Sequence, residues 1–392
     1  MLVTGANNEL DSVFMKEIGI GLLGLGTVGT GVARGLLERL DLVSARVGVK
    51  PVLCKIADID VKTDRGLKLE KSMLTTDAGS VIDDPDIDLV VELIGGTTVA
   101  GDLVTKALKL GKPVVTANKA LLAERGPEIF SLAKKKNTDI YFEASVCGAI
   151  PVIRALRDGL VADNIKSVRG IFNGTCNYIL TRMEQSNMPF ADALKEAQAK
   201  KFAEADPSLD IDGYDTAHKA VIMASLAYGF NIPWKFVHVE GIGKVEDIDI
   251  RFTRDLGYRI KLLGMVQLEG NEVDVRVHPT LIKNDNMLAS VGGPFNAVMV
   301  EGDLSGKTFY YGQGAGRNPT SSAVLGDIAE AVEKLAGCKG EKIARTIRWS
   351  NTSYSIKPIK NIETACYLRF SLFDRPGVLA KITSVLGRNG IS

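Results

Sequence analysis

Short unbroken apolar runs alternate with amphipathic stretches along the first 150 residues. Residues 18–23 read as a buried strand, and residues 28–40 repeat apolar positions at the helical period. Strands are predicted at 52–57, 89–93, 113–116 and 140–143, with helices at 101–110 and 119–136 between them. Strands alternating with helices at this spacing predict an α/β fold with a doubly wound parallel sheet. The pattern changes after Pro151. Residues 168–245 hold one strand and three helical stretches, clearest over 214–228; residues 252–310 read as strands broken by turns such as Glu269-Gly270-Asn271 and Gly292-Gly293-Pro294. Helices followed by strands suit an α+β second domain. A helix over 321–335 follows, then a polar, basic connector, then one more strand and helix. The predicted organisation is a nucleotide-binding domain over 15–150 rejoined by 312–338, a second domain over 151–311, a linker over 339–365 and a short tail over 366–392.

Composition narrows the classes of function. Hydrophobic residues at 45% and charged residues at 24% suit an ordinary globular protein. Lys and Arg number 48 against 47 Asp and Glu, so no excess of positive charge points to nucleic acid or an anionic membrane. No run approaches about 18 consecutive apolar residues, and residues 1–14 lack the basic start of a signal or transit peptide. The five cysteines form no C-x-x-C pair and are expected to be reduced thiols, which points to the cytoplasm. Three histidines leave little for a histidine-rich metal centre.

Gly24-Leu25-Gly26-Thr27-Val28-Gly29 lies between a predicted strand and a predicted helix. In that context the first glycine makes the tight turn, the second lets backbone approach a pyrophosphate, and the third lets helix pack on strand. The pyrophosphate would rest on the helix N-terminus, where free N–H groups favour an anion. Asp58 ends the second strand, where a carboxylate would bond the ribose hydroxyls of NAD and repel the 2′-phosphate of NADP. It lies beyond the usual spacing of ~20 residues, so it also reads as a plain strand-end turn residue. Lys62 and Arg65 follow and would suit a 2′-phosphate instead. NAD is mildly favoured over NADP.

Further segments carry a more specific signal: Val115-Thr116-Ala117-Asn118-Lys119, residues 143–153 from Glu143 through Gly148 to Pro151, residues 170–180 around Asn173-Gly174-Thr175-Cys176-Asn177, and residues 203–219. With the glycine loop and Gly312-Gln313-Gly314-Ala315-Gly316, their order over 18–336 resembles the homoserine dehydrogenase family. The resemblance implies a nicotinamide-dependent interconversion of L-homoserine and L-aspartate 4-semialdehyde, and a homodimer formed through the second domain. It also places Thr97, Lys119 and Gly316 with the glycine loop on the cofactor.

Five carboxylates crowd residues 204–215: Glu204, Asp206, Asp210, Asp212 and Asp215. Asp215 and Lys219 stand four apart on a predicted helix, hence on one face. Met without context, such a pair is a solvated ion pair of little energetic value. A calcium loop fails on its ligands, since Ser208 and Lys219 would fill its first and last positions. An amino-acid substrate brings an ammonium group that needs a carboxylate, and hydride transfer at an alcohol carbon needs a proton taken from oxygen. The resemblance makes Lys219 the proton donor, Lys119 a second lysine at the site, Asp215 an orienting and substrate-bonding group, and Glu204 and Asp210 substrate ligands. Two neighbouring lysines, with desolvation, are expected to lower a side-chain pKa from ~10.4. His218 faces another way on the helix and is expected to be structural or at the rim.

The resemblance also implies a sodium ion held by Glu143, Val146, Gly148 and Ile150, largely through backbone oxygens. Residues 367–382, with the turn Asp374-Arg375-Pro376-Gly377, resemble the start of an amino-acid-binding ACT domain; about 26 residues cannot close its sheet, so the tail is expected to be incomplete. Two other readings remain at this stage. A phosphorylating semialdehyde dehydrogenase needs a thiolate, but Cys176 has no histidine nearby in sequence. A catalytically idle amino-acid sensor would fit the tail but not the set Lys119, Glu204, Asp215 and Lys219.

Overall fold

The computed structural model describes residues 15–337, 346, 347, 349, 352 and 354–391. The expectations for residues 1–14, for Cys338 and for most of 339–353 lie outside the described residues. The chain divides at Lys360 into two units.

In the first unit, six strands form one parallel sheet: β1 (Glu17–Leu23), β2 (Lys50–Ala57), β3 (Leu74–Thr75), β4 (Leu89–Glu92), β5 (Val114–Thr116) and β6 (Ile140–Tyr141). Their order is β3-β2-β1-β4-β5-β6, the doubly wound arrangement. The central strands are apolar on both faces because helices cover both; Ile20, Leu22, Leu89, Val90 and Val91 are fully buried. Helix α1 (Thr27–Glu38) leaves β1 through the glycine loop, and helix α2 (Lys119–Lys135) leaves β5. Chain order reverses between β1 and β4, so the crevice at the strand C-termini opens beside Gly24 and Glu92.

The second sheet is mixed: β7 (Ile165–Ile171), β8 (His238–Val239), β9 (Tyr258–Glu269), β10 (Glu272–Lys283), β11 (Phe295–Gly302), β12 (Gly306–Gln313) and β13 (Ser355–Ile356). Its path is β12-β11-β7-β9-β10-β13, with β8 also on β10. Helices α3 (Gly174–Ser186) and α4 (Tyr214–Tyr228) pack on it. Helix α4 is buried almost all round, because α2 covers one side and β9 and β10 the other. It therefore joins the two sheets.

Helix α5 (Arg317–Gly337) returns to pack along α1. It starts earlier than the predicted 321, since Pro319 falls in the first turn, where no intrahelical N–H is needed. The described part of 339–365 does more than link: Ile347 is buried, and Ser355 and Ile356 pair with Glu272 and Val273 on β10. No helix among the described residues is long and apolar enough to cross a membrane.

In the second unit, helix α6 (Val378–Arg388) forms after the left-handed Gly377. The strand expected near 367 does not: residues 362–375 carry no regular secondary structure, and no described residue of this unit is buried. A lone strand without sheet neighbours has nothing to pair with.

Candidate active site

Lys219, Asp215 and Lys119 meet where α4 passes the start of α2. The Asp215 carboxylate lies between the two lysines, with Lys219 Nζ 2.8 Å from Oδ2 and Lys119 Nζ 3.0 Å from Oδ1. The side chains of Asp215 and Lys219 are 5% and 9% exposed, so this is no solvated surface pair, while Lys119 at 34% faces the opening. Lys219 Nζ also donates to the Phe172 carbonyl at 2.7 Å. Asn173 Nδ2 donates to Asp215 Oδ2 at 2.9 Å and to Asp210 Oδ1 at 2.7 Å. Asn173 is fixed because its Oδ1 caps α3, accepting from the Cys176 N–H.

Electrostatics here reverses one expectation. Burial disfavours the Asp215 charge, yet Lys219 and then Lys119 outweigh it and hold the carboxyl well below the usual carboxylate range. Burial would likewise lower Lys219, but Asp215 prevails and the ammonium is raised, not lowered. The sequence shows two lysines; it does not show that a carboxylate stands between them. Burial pushes the Asp210 carboxyl up, with Asp215 adding to the effect.

The glycine loop fits a dinucleotide. Gly24 has φ +97, and a Cβ there would lie 2.7 Å from the Leu93 backbone. A Cβ on Gly26 would meet nothing within 4 Å, leaving open space before the first turn of α1. A Cβ on Gly29 would lie 2.0 Å from the Gly24 carbonyl oxygen. Across the crevice, the buried Glu92 accepts from the N–H groups of Ile94 and Gly95 and from Thr116 Oγ1, and Asn118 Nδ2 donates to the Gly96 carbonyl. These bonds shape the loop carrying Thr97. Gly316, at φ +111, opens the turn into α5. Asp58 folds back on the glycine loop: Oδ2 accepts from Leu25 N–H, and Oδ1 accepts from Asp60 N–H and lies 3.5 Å from Arg65.

The loop expected to hold sodium has a different use for its one carboxylate. Glu143 accepts from the N–H groups of Ile153 and Arg154 at 2.8 and 2.9 Å, capping the turn after Pro151. Its own N–H donates to Asp327, which also pairs with Arg154, so α5 is tied to the segment between the two sheets. The Ile150 carbonyl accepts from Val152 N–H, and Cys147 and Gly148 are both left-handed. Among the described residues no group of acidic, cysteine or histidine side chains suits a metal; a cation here would rely on backbone oxygens, each of which keeps a second lone pair.

Two family models match the chain: "Homoserine dehydrogenase, NAD binding domain" over residues 24–143 and "Homoserine dehydrogenase" over residues 151–329. The homoserine dehydrogenase of Neisseria gonorrhoeae is 43% identical over 380 residues, spanning 96% of this chain and 87% of the relative. The chain belongs to the homoserine dehydrogenase family. The crystal structure of the Thiobacillus denitrificans homoserine dehydrogenase superposes with a TM-score of 0.87 at 41% identity, covering 95% of this chain and 87% of that one. A hyperthermophilic archaeal homoserine dehydrogenase in complex with NADPH superposes with a TM-score of 0.70 at 28% identity, covering 81% and 98%. The activity is therefore an oxidoreduction of homoserine that uses a nicotinamide dinucleotide.

Within a homoserine dehydrogenase site, four of the predicted residues are linked into one group. Lys119, Asp215, Lys219 and Asp210 converge. Glu204 is exposed, on a segment whose carbonyl accepts from Gln198. His218 is buried and meets Trp234 edge-on, with ring centroids 5.4 Å apart. Cys176 is buried and donates to the Asp210 carbonyl; burial raises its thiol well above the ordinary range, which removes a thioester nucleophile. Asn173 and Glu92 escaped the sequence reading. An asparagine just before a helix is a cap signal for Asn173, but nothing local marks its second amide bond.

Proposed function

We propose that Lys219 exchanges the proton at the substrate oxygen while Asp215 holds that ammonium and Lys119 in register. The observation that carries this is the buried Lys219–Asp215 pair with the half-buried Lys119 on its other carboxylate oxygen. An ammonium has three N–H donors, and two acceptors engage it among the described residues, leaving one for the aldehyde or alkoxide oxygen. The nicotinamide, when bound, supplies or takes the hydride. Asp210 sits beside Asp215 to receive the substrate ammonium, and Glu204 completes that contact from its exposed segment.

Residues 15–150 with 312–338 then serve the dinucleotide, and 151–311 the amino acid and a homodimer contact, in a cytoplasmic enzyme. The Asp58 charge favours NAD. Its pairing with Arg65 weakens the repulsion a 2′-phosphate would meet, so both dinucleotides are expected to serve. The NADPH-bound archaeal relative supports the second. A monovalent cation at Glu143, Val146, Gly148 and Ile150 would brace the segment joining the sheets. The test is absorbance of the reduced nicotinamide with homoserine, without phosphate, using NAD and NADP separately. Homoserine-dependent reduction of both is expected, with NAD ahead. A strict need for phosphate or arsenate would contradict the reading.

A further inference from the structure

Lys219 has an acceptor outside its own helix, the Phe172 carbonyl, and that carbonyl is held in turn. Asn296 Nδ2 donates to it at 3.0 Å from β11, the strand paired with β7. Asn296 is 1% exposed, and its Oδ1 has no partner among the described residues. The residues before Asn296 are clamped as well. Asn177 Nδ2 donates to the carbonyls of Gly293 and Phe295 at 3.0 and 3.1 Å, and Lys261 Nζ donates to Val291 O at 2.6 Å and to Asn177 Oδ1 at 3.1 Å. This is a costly way to place one amide, because Lys261 is itself 1% exposed with neutral acceptors only in these bonds.

We propose that Asn296 is a positioning residue for Lys219: it fixes the Phe172 carbonyl, which with Asp215 sets where the third N–H of Lys219 points. Two acceptors at fixed positions determine the direction left for the substrate oxygen. The inference rests on Lys219 being the proton-exchanging group. The titratable groups around Lys219 are Asp215 on its helix, Asp210 on the turn before it, Cys147 from the segment after β6 and, across Asp215, Lys119; of these, Cys147 alone also has a side-chain hydrogen bond with Asn296 among the described residues.

Asn296→Ser withdraws the amide, and Asn296→Asp keeps its shape while removing the donor. Misplacing a reacting group by about 1 Å can cost ~10²-fold, so kcat for aldehyde reduction should fall about 10- to 100-fold in both, with cofactor KM within about twofold. An acceptor that binds the charged form raises an ammonium's pKa. The alkaline limb of kcat should therefore move down in Asn296→Ser, as Phe172 drifts, and up in Asn296→Asp, which adds a negative charge. Thermal melts establish the folded fraction. A limb that stays put in both variants, or a loss explained wholly by unfolded protein, overturns the inference. Failure of both to fold would assign Asn296 to the fold alone and also overturn it. Lys219→Ala, measured in parallel, separates the two ideas: normal turnover there refutes the underlying reading, whereas an impaired Lys219→Ala beside normal Asn296 variants refutes only this one.

Discussion

Asp215 is the residue on which the site's charge balance depends. It keeps Lys219 charged despite burial, so the free site is set to deliver a proton to an aldehyde rather than to take one from an alcohol. The sign follows directly. Reduction needs protonated Lys219, so its alkaline limb should lie above the ordinary lysine value of ~10.4, and homoserine oxidation should rise with pH up to the same limit. In Asp215→Asn the opposing effect of burial is no longer outweighed, and the limb should fall below ~10.4. A pH–rate profile in both directions checks this, and an unmoved limb in Asp215→Asn would contradict it. At this scale the sequence was partly legible. The i, i+4 spacing put Asp215 and Lys219 on one face, and the family resemblance added Lys119. The upward shift of Lys219 comes from Asp215 on its own helix outweighing burial, but the pairing of Asp215 with Lys119 depends on α2 and α4 touching across about a hundred residues, which no local pattern encodes.

The elements were more legible than their partners. Continuous apolar runs marked the central strands because both faces of a parallel sheet are covered, and the glycine spacing marked the turn into α1. Gly29 is the most constrained of the three loop glycines, since backbone cannot yield as a flexible side chain can: an added Cβ would lie 2.0 Å from the Gly24 carbonyl oxygen. Gly29→Ala should weaken dinucleotide binding by at least about tenfold and lower the melting temperature, by analogy with other overpacked sites. A fluorescence titration with reduced dinucleotide checks it; unchanged affinity would mean that α1 can shift and that the loop is not rigid. The short strands β3, β8 and β13 escaped the sequence reading, since two residues carry no measurable alternation. Helix α4 was legible as a helix, but its nearly complete burial reflects what packs on it.

At the scale of the molecule, α4 packs between α2 and the second sheet, and α5 returns from the second sheet to pack on α1 and the first. Arg154 pairs with Asp327 and Glu330, and Glu143 bonds Asp327 through its N–H, so α5 fastens the segment between the sheets. Burial pushes the Asp327 carboxyl up to about 7, the Arg154 charge opposing. The return of the chain after the second sheet was readable only from the late glycine turn. Among residues 361–391 no side chain is buried and one regular helix forms. Removing residues 361–392 should leave homoserine turnover within about twofold and the melting temperature nearly unchanged. A large loss of either, read by steady-state kinetics and a thermal melt, would show that these residues dock on the catalytic unit or on a partner.

The central claim is that a buried lysine moves the proton. Removing a general acid–base group costs ~10²–10⁴ in rate. Purified Lys219→Ala, corrected for its folded fraction because breaking a buried ion pair costs about 3–5 kcal/mol, should lose that much in kcat for homoserine oxidation. Its affinity for the dinucleotide should stay within about twofold. Near-normal turnover in Lys219→Ala would contradict the account and leave Lys119 as the remaining lysine able to carry the proton.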